Sequence, residues 1–516
     1  MPDNSSNNKR IAKNTLLLYF RMMLIMVVSL YTSRVILNTL GVEDYGIYQT
    51  VGSVVAMLSY INGALNVGSS RFLTFELGRG NFKQLRKTFS SVLTVHVILA
   101  IIVLIVGETV GLWFVYNKLV IPENRMFAAV IAYHLSIVSA MITITQVPYG
   151  ASIISHEKMN VFAYVSIIEV FLKLGIVYLL YISDIDKLIL YASLYFAVSV
   201  GIMMYYRVYC LKNFEEAHYT RSFDKNIVRN ILSYSGWNLF ATTSVALCGQ
   251  GITIITNMFF NPSVVTARAI ANQVNGIANQ FVQNFRTAVN PQIVKKYAAG
   301  DNEGSKQLLL TSTKYSFFMM LALTLPITIV AKDLLQLWLG SVPEYAVIYL
   351  QLAIWTSLFA VFDLSFYTAL YAKGQIKENS LISSSCFFIG FVAICILFKL
   401  GYSPVSAGWV LLISQAVIAF VVKPFLLVKI TSYKWKEIIS LFTRTGLVLI
   451  SSLIIPAFLY FSIDWQSMNI LLRFLGLTIV CLISVALCTW TIGIDKGTRT
   501  KLINFIKSRI TNHAVQ

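Results

Sequence analysis

Charge is what this chain has least of. Asp, Glu, Lys and Arg make up 12% of its 516 residues, about half the share found in a soluble globular domain, so water is excluded as its main solvent. Long polar connections are missing too, the longest being the link between the sixth and seventh apolar runs. No soluble catalytic domain has room to fold there. Glycine-rich phosphate loops, nucleophile and base pairs and paired metal-ligand spacings are absent, so catalysis, a resident metal and a cofactor are not expected. The six cysteines, Cys210, Cys248, Cys386, Cys395, Cys481 and Cys488, mostly lie inside apolar runs, which predicts inert packing instead of disulfides or zinc. The start, MPDNSSNNKRIAKN, is polar and carries no small-residue cleavage site. It therefore predicts a retained first helix and not a removable leader.

What the chain does have is hydrophobic length. Hydrophobic residues make up 57%, mean hydropathy is +0.71, and apolar runs long enough to cross a ~30 Å hydrocarbon core as helices recur throughout. They predict an all-α polytopic membrane protein with about fourteen transmembrane helices. A weak internal repeat, GRGNFKQLRK after the second run and AAGDNEGSKQ after the eighth, suggests two six-helix bundles around a central cavity plus two C-terminal helices. The expected divisions are an N-terminal bundle at 1–208, a linker at 209–230, a second bundle at 231–428, two further spans at 429–493 and a basic tail at 494–516.

The formal charge of +19 could point to nucleic acid, but its distribution points to topology. Most of the 41 Lys and Arg fall in alternate connections, the positive-inside pattern, which predicts both termini on the cytoplasmic side. In the tail, Leu502, Phe505, Ile506 and Ile510 share one helical face, as in a helix lying on anionic lipid. Membrane lipids, and no nucleic acid, are the partners this implies.

Polar residues inside the spans are the candidates for chemistry, because a charge at membrane depth costs about 2.5–3.5 kcal/mol on insertion scales. Arg21 in the first span shares a stripe with Asn14 and Thr32, whereas Arg34 lies opposite and reads as a snorkelling side chain. In the eighth span Arg268, Asn272, Asn275, Asn279, Gln283, Arg286 and Asn290 project within an arc of about 60–80°. Asn238, Thr242, Gly249 and Thr256 form a similar stripe in the seventh. Helix-to-helix hydrogen bonding is one reading of such stripes, at ~0.6 kcal/mol per bond; a water-filled lumen is the other. Glu169 and Lys173 have the spacing and order of an ion pair on one helical face. Asp363 and His134 complete the candidates for ion or proton coupling, with simple packing as the alternative. Asp184 and Asp186 mimic a metal-binding DxD but occupy a short turn.

Longer segments carry a family resemblance. NTLLLYFRMMLIMVVSLYTSRVILNTLGVEDYGIYQTVGSVV, SSRFLTFELGRGNFKQLRKTFSS, VPYGASIISHEKMN and ARAIANQVNGIANQFVQNFRTAVNPQIVKKYAAGD resemble bacterial polysaccharide-repeat-unit (Wzx-type) flippases. These belong to the multidrug, oligosaccharidyl-lipid and polysaccharide exporter superfamily. The resemblance implies movement of undecaprenyl-diphosphate-linked oligosaccharides across the bacterial inner membrane, from cytoplasmic to periplasmic leaflet, for lipopolysaccharide O-antigen or capsule assembly beside a polysaccharide polymerase machinery. Arg21, Arg268 and Arg286 would then hold the diphosphate, with Asn272, Asn275 and Asn279 facing sugar hydroxyls. Two alternatives stand beside it: a cation-coupled multidrug exporter of the same superfamily, and a membrane-embedded polysaccharide polymerase or ligase.

Overall fold

Helices begin where the sequence supplies a polar cap and end where glycine or an extended residue breaks the ladder. Asn81, Asp186, Asp301 and Asn469 each accept a backbone N–H of the first turn that follows, satisfying donors left over at a helix start. The computed structural model describes residues 4–78, 81–156, 158–220, 246–298, 300–373, 377–495, 497 and 499–500, with side chains of some helical residues, Arg21 among them, outside the described set. In chain order the principal helices are α1 (Asn4–Gly78), α2 (Phe82–Val106), α3 (Leu112–Lys118), α4 (Met126–Ser155), α5 (Met159–Ile182), α6 (Lys187–Asn213), α7 (Ile252–Phe259) and α8 (Pro262–Ala298). There follow α9 (Asn302–Leu339), α10 (Ala346–Lys373), α11 (Lys377–Lys399), α12 (Ser406–Val417), α13 (Lys423–Ile430), α14 (Trp435–Ser462) and α15 (Ile470–Cys488).

This is the all-α polytopic architecture that composition predicts. Among the described residues eleven helical stretches are long and apolar enough to cross a membrane. The first two expected spans are the two arms of α1, which breaks at Gly41, where φ is +80°, a backbone region that glycine enters without a Cβ penalty. The expected eighth span is α8, whose 37 residues give it the length to cross but whose polar stripe denies it an apolar composition. Asn238, Thr242 and the amphipathic tail lie outside the described residues, as does the side chain of Asn14.

The chain forms two compact units. Unit 1 comprises residues 1–269 and 387–404. One of its cores is built from Ile47, Val51, Ala129, Tyr133, Ile137 and Leu188, all fully buried. Gly46 in α1 lets the start of α8 come close: a Cβ there would lie 2.1 Å from the Pro262 carbonyl oxygen. Gly46→Ala is therefore expected to cost about 1–3 kcal/mol through overpacking. Gly52→Ala, with nothing within 4 Å, serves as the control, and thermal unfolding of the two purified variants compares them. Equal midpoints would refute the close approach.

Unit 2 comprises residues 270–386 and 405–516. Its core is aromatic: Phe362 packs its ring 5.1 Å from that of Phe317, 5.0 Å from that of Phe442 and 5.6 Å from that of Phe420. The Phe442 pair is edge-on, with the rings at 90°, a geometry that adds about 0.5–1.5 kcal/mol beyond area burial. Together the three contacts pin α9, α10, α14 and the Ile418–Val422 turn that follows α12 around Phe362.

Among the described residues four π-helical turns interrupt the helices, at Gly107–Gly111, Leu247–Gly251, Ile418–Val422 and Thr489–Gly493. A π-turn shifts the hydrogen-bond register and frees carbonyls, which is why such turns collect at functional positions. Three of the four adjoin polar residues of the candidate site.

Candidate functional site

Within unit 1, Arg268 on α8 is 7% exposed. Its guanidinium donates to Thr253 Oγ1 at 2.6 Å and lies 3.4 Å from the carbonyl oxygens of Gly249 and Cys248. Those carbonyls belong to the Leu247–Gly251 π-turn, so the arginine adds charge-assisted donors to the backbone of the irregular turn.

His134 on α4 meets Glu108 of the Gly107–Gly111 π-turn, Nδ1 to Oε1 2.9 Å. The Gly107 carbonyl, which also takes the Leu112 N–H of the turn, accepts from the hydroxyl of Tyr133 at 2.8 Å. Glu169 and Lys173 form the ion pair their spacing predicts, at 2.7 Å, and Lys173 also sits 4.6 Å from the centre of the Tyr195 ring. The DxD pair is structural: Asp186 caps α6, and Arg125 binds both Asp186 and Asp44 at 2.6 Å. Burial pushes the Asp186 carboxyl up, but Arg125 and two backbone N–H groups outweigh it and hold it below the usual range.

Unit 2 holds the denser arrangement. Asn275, Ser357 and Asn279 form a closed network: Asn279 Nδ2 donates to Ser357 Oγ at 2.7 Å, and Ser357 Oγ donates to Asn275 Oδ1 at 2.8 Å. Asn272 is exposed. One turn and more beyond Asn279 on α8, Arg286 is 6% exposed and interacts electrostatically with Asp363 on α10. Asp363 is bound by the Lys423 ammonium at 2.8 Å and by Gln415 Nε2 at 3.1 Å. Lys423, 2% exposed, follows the Ile418–Val422 π-turn and lies 5.2 Å from the centre of the Tyr367 ring.

Arg286, Lys423 and Asp363 thus place two buried cations against one carboxylate. Taking such ions out of water costs several kcal/mol each unless they are paired and hydrogen-bonded. One carboxylate cannot neutralise both, so the cluster carries a surplus positive charge.

The sequence named Arg286, Asn275 and Asn279 for a substrate cavity and Asp363 separately for ion or proton coupling, and unit 2 holds all four. It missed Lys423, Gln415 and Glu108. Lys423 had a signal, a lone lysine in AVIAFVVKPFLLV, a type of residue that is functional by default at membrane depth. The side chain of Arg21 lies outside the described set.

Residues 239–396 match the MatE family model. No curated protein matches the chain in sequence. Among solved structures, the chain is similar to the lipid II flippase MurJ in an inward closed conformation, at 12% identity over 93% of this chain and 98% of that one, with a TM-score of 0.65. It is similar to an inward-facing multidrug resistance MATE family transporter of the MOP superfamily, at 14% identity over 81% and 100%, TM-score 0.67. A MOP superfamily transporter from Pyrococcus furiosus aligns at 15% identity over 81% and 96%, TM-score 0.58. At these identities the likeness establishes the fold alone, the one these three structures share.

Proposed function

We propose, from the premise of a MatE-matching segment inside a MOP-type fold, that the chain is a transporter of that superfamily carrying an undecaprenyl-diphosphate-linked oligosaccharide. On this reading it moves the repeat unit by alternating access from the cytoplasmic to the periplasmic leaflet of a bacterial inner membrane, with both termini cytoplasmic, and delivers it to polysaccharide polymerase machinery. The observation that carries the reading is the surplus positive charge of Arg286, Lys423 and Asp363. An anionic diphosphate would complete its neutralisation, and guanidinium offers paired donors to phosphate oxygens. The amides and hydroxyl of Asn275, Asn279 and Ser357 suit sugar hydroxyls. Arg21 and Arg268 remain candidate diphosphate contacts, and Asn272 a sugar contact. With two negative charges on the headgroup, an inside-negative potential would favour outward movement by about 4–5 kcal/mol per 100 mV. Coupling to an ion would then be an addition, with His134 beside Glu108, Glu169 beside Lys173, and Asp363 as the groups to carry it.

A cation-coupled drug exporter is favoured by carboxylates within the spans, Asp363 and Glu169. Asp363 is already held by Lys423 and Glu169 by Lys173, which leaves both poor sites for a cationic drug. Purified protein in liposomes, given an undecaprenyl-diphosphate oligosaccharide and an organic drug cation in parallel, separates the two. Translocation of the lipid-linked sugar alone is expected; movement of the cation alone would replace the flippase reading with the exporter.

A further inference from the structure

At the end of unit 2 where α9 begins and α14 begins, a cavity of about 350 Å³ opens between the two helices. Three cations line it: Lys314 from α9, and Lys436 and Arg444 from α14. Thr311 and Ser440 add hydroxyl donors to the wall. Lys314 is only 7% exposed, so most of its solvation has been given up.

The acids nearby are already committed. Glu437 binds Lys306 at 2.7 Å and accepts the Lys434 backbone N–H at 2.9 Å. Asp495, just past the last π-turn, bridges Lys314 at 3.1 Å and Arg444. Burial pushes the Asp495 carboxyl up, and Arg444 and Lys314 more than reverse this, holding it in the charged form. Glu437 also lines the cavity, but its charge is met by Lys306, so Lys314, Lys436 and Arg444 against Asp495 still leave the wall net positive.

The outer face of α14 continues the cavity mouth in apolar form. At 100° per residue, Lys436, Ser440, Leu447, Ile454 and Phe458 fall within an arc of about 40°. Leu447, Ile454 and Phe458 are 49%, 63% and 69% exposed. From Leu447 to Phe458 the stripe runs about 16 Å along the helix, roughly half of a ~30 Å hydrocarbon core. A polar, positive pocket at one end and an apolar stripe of one leaflet's depth above it match the two halves of a phospholipid.

We propose that this pocket binds the headgroup of an anionic glycerophospholipid, its phosphate held by Lys436, Arg444 and Lys314 and its acyl chains lying along the α14 stripe. The volume suits a phosphodiester with a small head alcohol and leaves no room for several sugars, so the occupant differs from the transported molecule proposed above. With the termini cytoplasmic, the lipid belongs to the inner leaflet. Asp495 competes with the phosphate for the same two cations, so the strength of binding is set by this carboxylate.

Native mass spectrometry of the full chain, titrated with phosphatidylglycerol or phosphatidylcholine, tests this. Phosphatidylglycerol should be retained at least tenfold more tightly. Lys436→Ala with Arg444→Ala should remove that preference, and the solvent-exposed Lys436→Glu should weaken it several-fold without threatening the fold. Asp495→Asn should strengthen phosphatidylglycerol binding several-fold, an opposite effect that a merely structural role would not produce. Equal retention of the two lipids, or a preference unchanged by the Lys436 variants, would overturn the proposal. Displacement of phosphatidylglycerol by excess inorganic phosphate would overturn the lipid assignment in favour of a phosphate site, and preferential retention of undecaprenyl phosphate would reassign the groove to the substrate lipid.

Discussion

Asp363→Ala is expected to destabilise unit 2 by about 3–5 kcal/mol, because removing one partner of a buried ion pair leaves the other charge buried and uncompensated. Here the loss is compounded. Lys423 loses its carboxylate at 2.8 Å, Gln415 loses its acceptor at 3.1 Å, and Arg286 loses the one acid it interacts with in the cluster. Thermal unfolding of the purified chain reads the effect. Lys423→Met in the same background should recover part of the loss, since a cation with no partner is worse than an apolar side chain of similar length. An unchanged midpoint in Asp363→Ala would mean that water reaches the cluster and that the surplus charge is solvated. The argument for an anionic substrate would then fail with it.

Arg286→Ala is expected to act the other way round. Removing this cation relieves the surplus charge, so unfolding should stay within about 1 kcal/mol of wild type, as for a substitution that leaves no buried charge unpaired. Transport should fall at least tenfold, the ~1.4 kcal/mol or more that one charge-assisted contact to phosphate supplies. Arg268→Ala provides the contrast. Its guanidinium serves Thr253 and the carbonyls of Gly249 and Cys248, so its loss should register in stability as well as in transport. Liposome translocation and thermal unfolding, measured side by side on both variants, separate the two roles. Full transport in Arg286→Ala would remove the arginine from the proposed substrate site.

The local features were legible because local geometry fixes them. Glu169 and Lys173 meet because four residues is one helical turn, whatever surrounds them. The long pairings were not legible. Glu108 finds His134, Arg125 finds Asp44 and Asp186, and Asp363 finds Lys423 only after separate helices have packed at particular rotations. Those rotations depend on ring contacts such as Phe362 against Phe442 and on close approaches such as Gly46 against Pro262.

The sequence by itself determined the solvent and the class of fold: too few charges for water, and apolar runs whose backbones, in lipid, must close their own hydrogen bonds as helices. It also placed Arg268, Asn275, Asn279 and Arg286 on one stripe of α8, since helical periodicity alone sets which residues share a face. Tertiary structure decided what each of them does there. It turned Arg268 onto the carbonyls of a π-turn, closed Asn275 and Asn279 around Ser357, and set Arg286 beside a carboxylate already held by Lys423. Whether a charge at membrane depth is neutralised or left in surplus depends on which neighbour packing brings within a few ångströms, and one-dimensional order does not carry that distance.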